Sequence, residues 1–265
     1  MNDGLAMTGG LAVSAVHVAR SGAGDPVLLL HGIGGSADSF APQVPAFARR
    51  HLVLSWDAPG YARSADPDRP PGMSGYAAAA ASLLPEIGPA HVLGVSWGGV
   101  IATRLALEYP HLVRSLVLAD STRGSGRTAA TRAAMLARPA DLERLGAAKF
   151  AARRGPRLVS PAAPPALVRR VVDTMASSIR MPGYGYAASS MAQTAHDRVL
   201  PSLTVPVLVV AGRQDTVTGV RESAAIAAAI PGARLAVIEQ AGHLANQEQP
   251  DEFNARAEDF WKGLP

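Results

Sequence analysis

The sequence predicts an α/β fold: a mostly parallel central sheet, helices on both of its faces, and a helical insertion. Two observations carry this. Short apolar runs alternate with helical patterns along most of the chain, and the runs are continuous rather than alternating, as parallel strands covered on both faces are. One long stretch, residues 122–200, departs from the rhythm and carries helical patterns only.

In chain order, residues 11–17 alternate apolar and small side chains, which predicts an antiparallel edge strand. Residues 27–30 (Val-Leu-Leu-Leu) and 52–56 (Leu-Val-Leu-Ser-Trp) read as buried strands, followed by a helix over 76–84. A strand at 92–95, a helix at 100–109 and a strand at 115–119 come next. After residue 200 the alternation resumes, with strands at 205–210 and 235–238 and helices at 220–229 and 251–261. Such alternation builds a parallel sheet through right-handed crossovers. Between the two halves, helices at 129–136, 140–152, 165–178 and 184–195 are separated by Pro139, Gly155-Pro156, Pro161 and Pro182, which punctuate helices. The expected organisation is a core of residues 1–121 and 201–265 with a helical cap at 122–200.

Against that framework, Gly94-Val95-Ser96-Trp97-Gly98 is the most informative stretch. It is a G-x-S-x-G pattern between a strand and a helix, the setting of a nucleophile elbow. A serine hydroxyl is a weak nucleophile at neutral pH and needs a base, and the base needs an acid to orient it. Asp215, in Gly212-Arg213-Gln214-Asp215, follows a predicted strand on the side of the sheet where ligands bind. Asp120 also ends a strand and is the rival acid; Asp215 is preferred on its place in the chain order. His243, in Ala241-Gly242-His243-Leu244, completes the order Ser, Asp, His. Of the remaining histidines, His31 reads as an orienting group beside a glycine-rich turn, and His196 lies in the cap within possible reach of substrate. That turn, His31-Gly32-Ile33-Gly34-Gly35, follows the strand ending at Leu30 and lacks the G-K-[ST] ending of a phosphate loop. The expected oxyanion hole is the backbone N–H of Ile33 with that of Trp97.

Composition sets the exclusions. The absence of cysteine removes disulfides, a thiol nucleophile and thiolate metal sites. No apolar run is long enough to span a bilayer, and Met1-Asn2-Asp3-Gly4 does not open a secretory signal. The expectation is a cytoplasmic chain with no membrane, metal or organic cofactor. The net charge of +4 comes mostly from arginine, but no basic run interleaves with aromatics, so nucleic acid is not an expected partner. Oligomeric state leaves no trace in the sequence.

Over nearly its whole length the chain resembles the α/β-hydrolase superfamily. The resemblance rests on 30–36 (Leu-His-Gly-Ile-Gly-Gly-Ser), 56–64 (Trp-Asp-Ala-Pro-Gly-Tyr-Ala-Arg-Ser), the elbow and the His243 loop. Within the superfamily it is most similar to 3-oxoadipate enol-lactonases, through 42–46, 183–188, 228–234 and 243–250. It departs from them at Trp97, where they usually carry Leu or Met, and at 57–61, where Asp-Ala-Pro-Gly-Tyr replaces Asp-Thr-Arg-Gly-His. An indole beside the nucleophile is expected to reshape the pocket. The resemblance implies hydrolysis of a small ester or lactone without a cofactor.

The cap adds a clue to substrate. Residues 121–200 hold thirteen Lys/Arg against four Asp/Glu, an excess that attracts an anionic small molecule if it faces the pocket. Arg123, Arg127, Arg153, Arg154, Arg157 and Arg180 belong to this set. Met135, Met175, Met181, Met191, Tyr184 and Tyr186 are candidates either for an apolar lining or for cap–core packing. The leading reading is a serine hydrolase of a carboxylated ester or lactone. A carbon–carbon bond hydrolase of aromatic degradation, a general carboxylesterase, a cofactor-free haloperoxidase-like enzyme and a non-catalytic small-ligand receptor stay open, because fold and triad do not fix function.

Overall fold

The computed structural model describes residues 16–264. Its sheet has seven strands: β1 (Val18–Ser21), β2 (Asp25–Leu30), β3 (His51–Trp56), β4 (Ala90–Val95), β5 (Val113–Ala119), β6 (Val207–Gly212) and β7 (Arg234–Ile238). Their spatial order is β1-β3-β2-β4-β5-β6-β7. β1 runs antiparallel to β3, and the other pairs are parallel. The helices are α1 (Gln43–Phe47), α2 (Gly72–Ala81), α3 (Trp97–Glu108), α4 (Ala129–Leu136), α5 (Arg138–Arg154), α6 (Pro165–Ser178), α7 (Gly183–Gln193), α8 (Gly219–Ala229), α9 (Ala245–Glu248) and α10 (Pro250–Lys262).

The continuous apolar runs have a structural reason. Leu28, Leu30, Leu54 and Val92 pack on one face of the sheet with Val100 and Ile101 of α3 and Ile226 of α8. Val27, Leu29, Val53 and Leu93 pack on the other, against Phe47 of α1 and Phe253 and Phe260 of α10. A polar residue on either face would forfeit about 1.5–3 kcal/mol of burial.

Three expectations shift. An antiparallel edge strand lies at β1, with Val18 opposite Trp56; of the run expected over 11–17, Val16 and His17 stand outside this strand. Gly22 and Gly24, both at positive φ, turn the chain into β2 and fix where β1 ends; residues 11–15 lie outside the described residues. β6 starts at Val207 because Pro206 has no N–H to donate, although its carbonyl accepts from Leu116 at 2.9 Å. The run read as one helix over 140–152 is α5, which is broken at Gly146 (φ 73°, ψ 160°).

Parallel strands send their C-terminal ends to one edge, so the loops after β2, β4, β6 and β7 converge there. Between β5 and β6 the chain carries α4–α7 and, among the described residues, no strand. No described helix is long and apolar enough to cross a membrane.

Candidate active site

Ser96 occupies the turn between β4 and α3 with φ 53° and ψ −115°. That conformation costs a non-glycine residue about 1–3 kcal/mol and lifts the side chain off the strand end. The flanking glycines permit it by close approach. A Cβ on Gly98 would lie 2.0 Å from the Leu30 carbonyl oxygen, and one on Gly94 would lie 2.3 Å from that of Gly98.

His243 Nε2 lies 2.9 Å from Ser96 Oγ, and His243 Nδ1 lies 3.1 Å from Asp215 Oδ2. Both His243 and Asp215 are buried. Burial opposes ionisation of Asp215, but the hydrogen bond and charge of His243, with Thr218 Oγ1 and Gly219 N–H, hold its carboxyl well below the usual carboxylate range. Its other oxygen, Oδ1, accepts from Val217 N–H at 2.7 Å. With Asp215 ionised, Nδ1 carries the ring proton and Nε2 faces Ser96 as an acceptor. The rival acid, Asp120, makes no hydrogen bond to His243. Its oxygens accept from Gly212 N–H at 2.7 Å and Ala245 N–H at 3.2 Å, and burial pushes its carboxyl up to about 7.

The glycine-rich turn is propped from below. His31 Nδ1 donates to Gly32 O at 2.8 Å while Nε2 accepts from Ala58 N–H at 3.0 Å. Burial lowers its pKa to about 4 and keeps the ring neutral. Tyr61 donates its hydroxyl to Ile33 O at 3.0 Å, fixing the peptide that follows Ile33, while the Gly32 carbonyl bonded by His31 belongs to the peptide that carries the Ile33 N–H. Trp97 is the first residue of α3, so its N–H has no carbonyl one turn back within the helix. Ile33 lines the cleft beside Ser96, and Trp97 directly follows Ser96 at the start of α3. The expectation for the indole does not hold. The Trp97 side chain is fully buried. It donates to Ser190 Oγ of α7 at 3.2 Å and packs edge-on against Tyr76, away from the cleft.

Above Ser96 is a cleft of about 770 Å³, counting the solvent at its mouth. Its floor includes His31, Ile33, Ser96 and His243; its roof includes Arg138, Arg154, Met175 and Tyr184. Of the apolar cap candidates, Met175 and Tyr184 line the cleft, while Met135 and Met191 are buried in the core packing. His196 is buried outside the lining, its pKa lowered to about 4 by burial. The cap arginines fall into distinct groups. Arg123 and Arg127 both grip Asp197 and Glu222, tying both ends of the insertion to α8. Arg180 holds Asp66 and the Ala62 carbonyl. Arg153 and Arg157 are exposed. Arg154 alone of the six singled out from the sequence reaches the cleft, joined there by Arg138.

Several positioning residues carry no local signal. Glu248 accepts from Gly242 N–H at 2.7 Å and Ser160 N–H at 2.8 Å, pinning the His243 loop to the insertion. Gln43 and Asn246 bond each other and fix α9. Tyr61 lies in the 56–64 stretch that carries the family resemblance, but nothing in that stretch points to its bond with Ile33. Among the described residues, no group of three or more His, Asp or Glu is placed to hold a metal ion.

The architecture and the strand-end site are those of a hydrolase with the α/β fold. The sequence matches the alpha/beta hydrolase fold family over residues 25–250, and the chain belongs to that family. It is 28% identical to 3-oxoadipate enol-lactonase 2 of Acinetobacter baylyi, covering 94% of this chain and 93% of that one. It is 30% identical to a chain of Azorhizobium caulinodans provisionally named carbamate hydrolase RutD, covering 88% and 89%. A malate-bound thermophilic esterase from Thermogutta terrifontis superposes with a TM-score of 0.85 at 25% identity, covering 93% of each chain.

Proposed function

We propose that this protein hydrolyses a small ester or lactone carrying a carboxylate, through an acyl-enzyme on Ser96. One observation carries the reading: the continuous relay Ser96–His243–Asp215, with contacts of 2.9 and 3.1 Å, on the floor of a cleft. The similarity to an enol-lactonase supports the substrate class. Malate, a dicarboxylate, in a similar esterase supports the anionic group.

In this mechanism Ser96 Oγ attacks the substrate carbonyl as His243 Nε2 takes its proton. Asp215 stabilises the imidazolium, and the Ile33 and Trp97 N–H groups receive the oxyanion, where one such donor is worth about 2.7–4 kcal/mol. Collapse expels the alkoxide or enolate, which takes the proton from His243. Water then attacks the acyl-enzyme with His243 as base, and Ser96 is released.

The test is burst and steady-state kinetics on 4-nitrophenyl acetate and butyrate, 3-oxoadipate enol-lactone, a neutral lactone and a ring-cleavage diketone. An acyl burst and preference for the carboxylated lactone are expected, with kcat falling by about 10⁴-fold or more in Ser96→Ala. Activity retained in Ser96→Ala overturns the mechanism, and preference for the diketone transfers the protein to carbon–carbon bond hydrolysis.

A further inference from the structure

Arg138 and Arg154 are the first and last residues of α5. In a straight helix they would stand about 24 Å apart along the axis, too far to serve one small ligand. They line the same cleft because α5 is broken at Gly146, where φ 73° and ψ 160° define a conformation open in practice to glycine alone. Apart from its chain neighbours and the adjacent helix backbone, no atom lies within 4 Å of where a Cβ on Gly146 would project. The dihedral angles, not crowding, therefore require glycine there.

The two guanidinium groups are half-buried and close enough to repel. Burial lowers the Arg154 pKa, and the charge of Arg138 adds to the effect. Arg154 sits over the Phe150 ring, with Cζ 5.5 Å from its centroid, which supports one face of the guanidinium. Among the described residues neither group has a carboxylate partner within ion-pair distance. Asp141, in the first turn of the same helix, is engaged by Arg144 at 2.6 Å and Arg153 at 3.9 Å. The anchoring arginines of the cap differ: Arg123, Arg127 and Arg180 each hold an acid at 3.0 Å or less. Two like charges brought together, partly desolvated and left unneutralised over a nucleophile are complementary to an anion from solution.

We propose that Arg138 and Arg154 form an anion subsite that binds a carboxylate of the substrate remote from the carbonyl presented to Ser96. The pair, and not the cap's overall basic excess, then selects half-esters or lactones of dicarboxylic acids. The inference rests on reading the cleft as an acyl-hydrolysis site, and its test separates the two.

The experiment compares kcat/KM for mono-4-nitrophenyl glutarate with that for 4-nitrophenyl valerate, its neutral counterpart, in wild type, Arg138→Gln, Arg154→Gln and Arg153→Gln. Wild type should favour the charged ester. Each of the first two substitutions should cut kcat/KM for it by about tenfold, leaving valerate within about twofold. Arg153→Gln, on the exposed side of the same helix, should change neither. Equal losses on both esters, no loss on the charged one, or an equal effect of Arg153→Gln overturns the subsite. Calorimetric titration with glutarate gives a readout that needs no turnover. Binding should weaken about tenfold in Arg138→Gln and Arg154→Gln, and glutaramide should not bind. If wild type turns over neither ester, the hydrolase reading fails while the glutarate titration still decides the subsite; unchanged glutarate binding in both variants overturns it.

Discussion

On the floor of the cleft, the polar side chains are held by partners within the protein. Asp215 bonds His243, Thr218 and the Val217 and Gly219 N–H groups, and His31 is held at both ring nitrogens. On the roof, Arg138 and Arg154 line the same cleft, and among the described residues neither has a carboxylate within ion-pair distance. The floor hangs from strand ends whose positions the sheet fixes, so its geometry is preorganised for transition-state chemistry. The roof hangs from helices joined by breaks at Gly146 and at prolines, and its charges are left for a ligand to satisfy. A fixed floor suits a reaction mechanism, whereas a roof with spare valence suits substrate selection.

The sharpest way to break this contrast is within the floor. Asp215→Asn removes the carboxylate that sets the His243 tautomer, and kcat should fall by about 10³–10⁴-fold. Asp120→Asn should cost less than about tenfold, because Asp120 serves Gly212 and Ala245 and not the imidazole. Its cost should appear in stability instead, about 1–3 kcal/mol for a buried N–H left without an acceptor. Steady-state kinetics and thermal unfolding of both variants check the division. A larger kinetic loss in Asp120→Asn would transfer the acid role to it.

The same contrast explains what the sequence revealed. Ser96, Asp215 and His243 each follow an apolar strand after a glycine, and strand, turn and side chain all lie within a few residues. Information of that range is legible in a single chain. Arg138 is not, because its place depends on the backbone angle of Gly146, and a lone glycine within a helical window costs only about 1 kcal/mol and does not interrupt the pattern. Tyr61, Glu248 and Gln43 act across 28, 6 and 203 positions on Ile33, Gly242 and Asn246 respectively. Two of these contacts are long-range, and the third joins a loop to a helix too short to show a period. The basic excess of the cap was visible, but its division into anchors, exposed charges and cleft-lining pairs depends on tertiary contacts.

Tyr61→Phe sharpens the comparison at smaller scale. The substitution removes the hydroxyl that holds the Ile33 carbonyl at 3.0 Å and keeps the ring in its packed place. Loosening the peptide next to the one that carries the Ile33 N–H, the proposed oxyanion donor, should lower kcat by about threefold with KM nearly unchanged, on neutral and charged esters alike. A change confined to the charged ester would move Tyr61 from the floor's machinery to the roof's selection.

The smallest effect belongs to the base of the roof, where Glu222 takes Arg123 in a two-toothed pair and reaches Arg127. Burial raises the Glu222 pKa, but the hydrogen bonds and charges of Arg123 and the charge of Arg127 outweigh it and bring it down from 4.5 to about 2. A carboxyl depressed in the folded state contributes stability that is fully present above its unfolded pKa and lost as pH falls through the folded one. Glu222→Gln should therefore lower stability by about 1 kcal/mol at pH 7, a modest figure because the network is solvent-screened. The gap from wild type should close as pH drops from 4.5 towards 2, while neutral-ester kcat at pH 7 stays the same. Chemical denaturation across that pH range reads the gap directly. A gap that persists at the acid end would show that the arginines grip Glu222 for its shape and not its charge. A fall in neutral-ester kcat at pH 7 would show that the roof's anchorage reaches the floor's geometry.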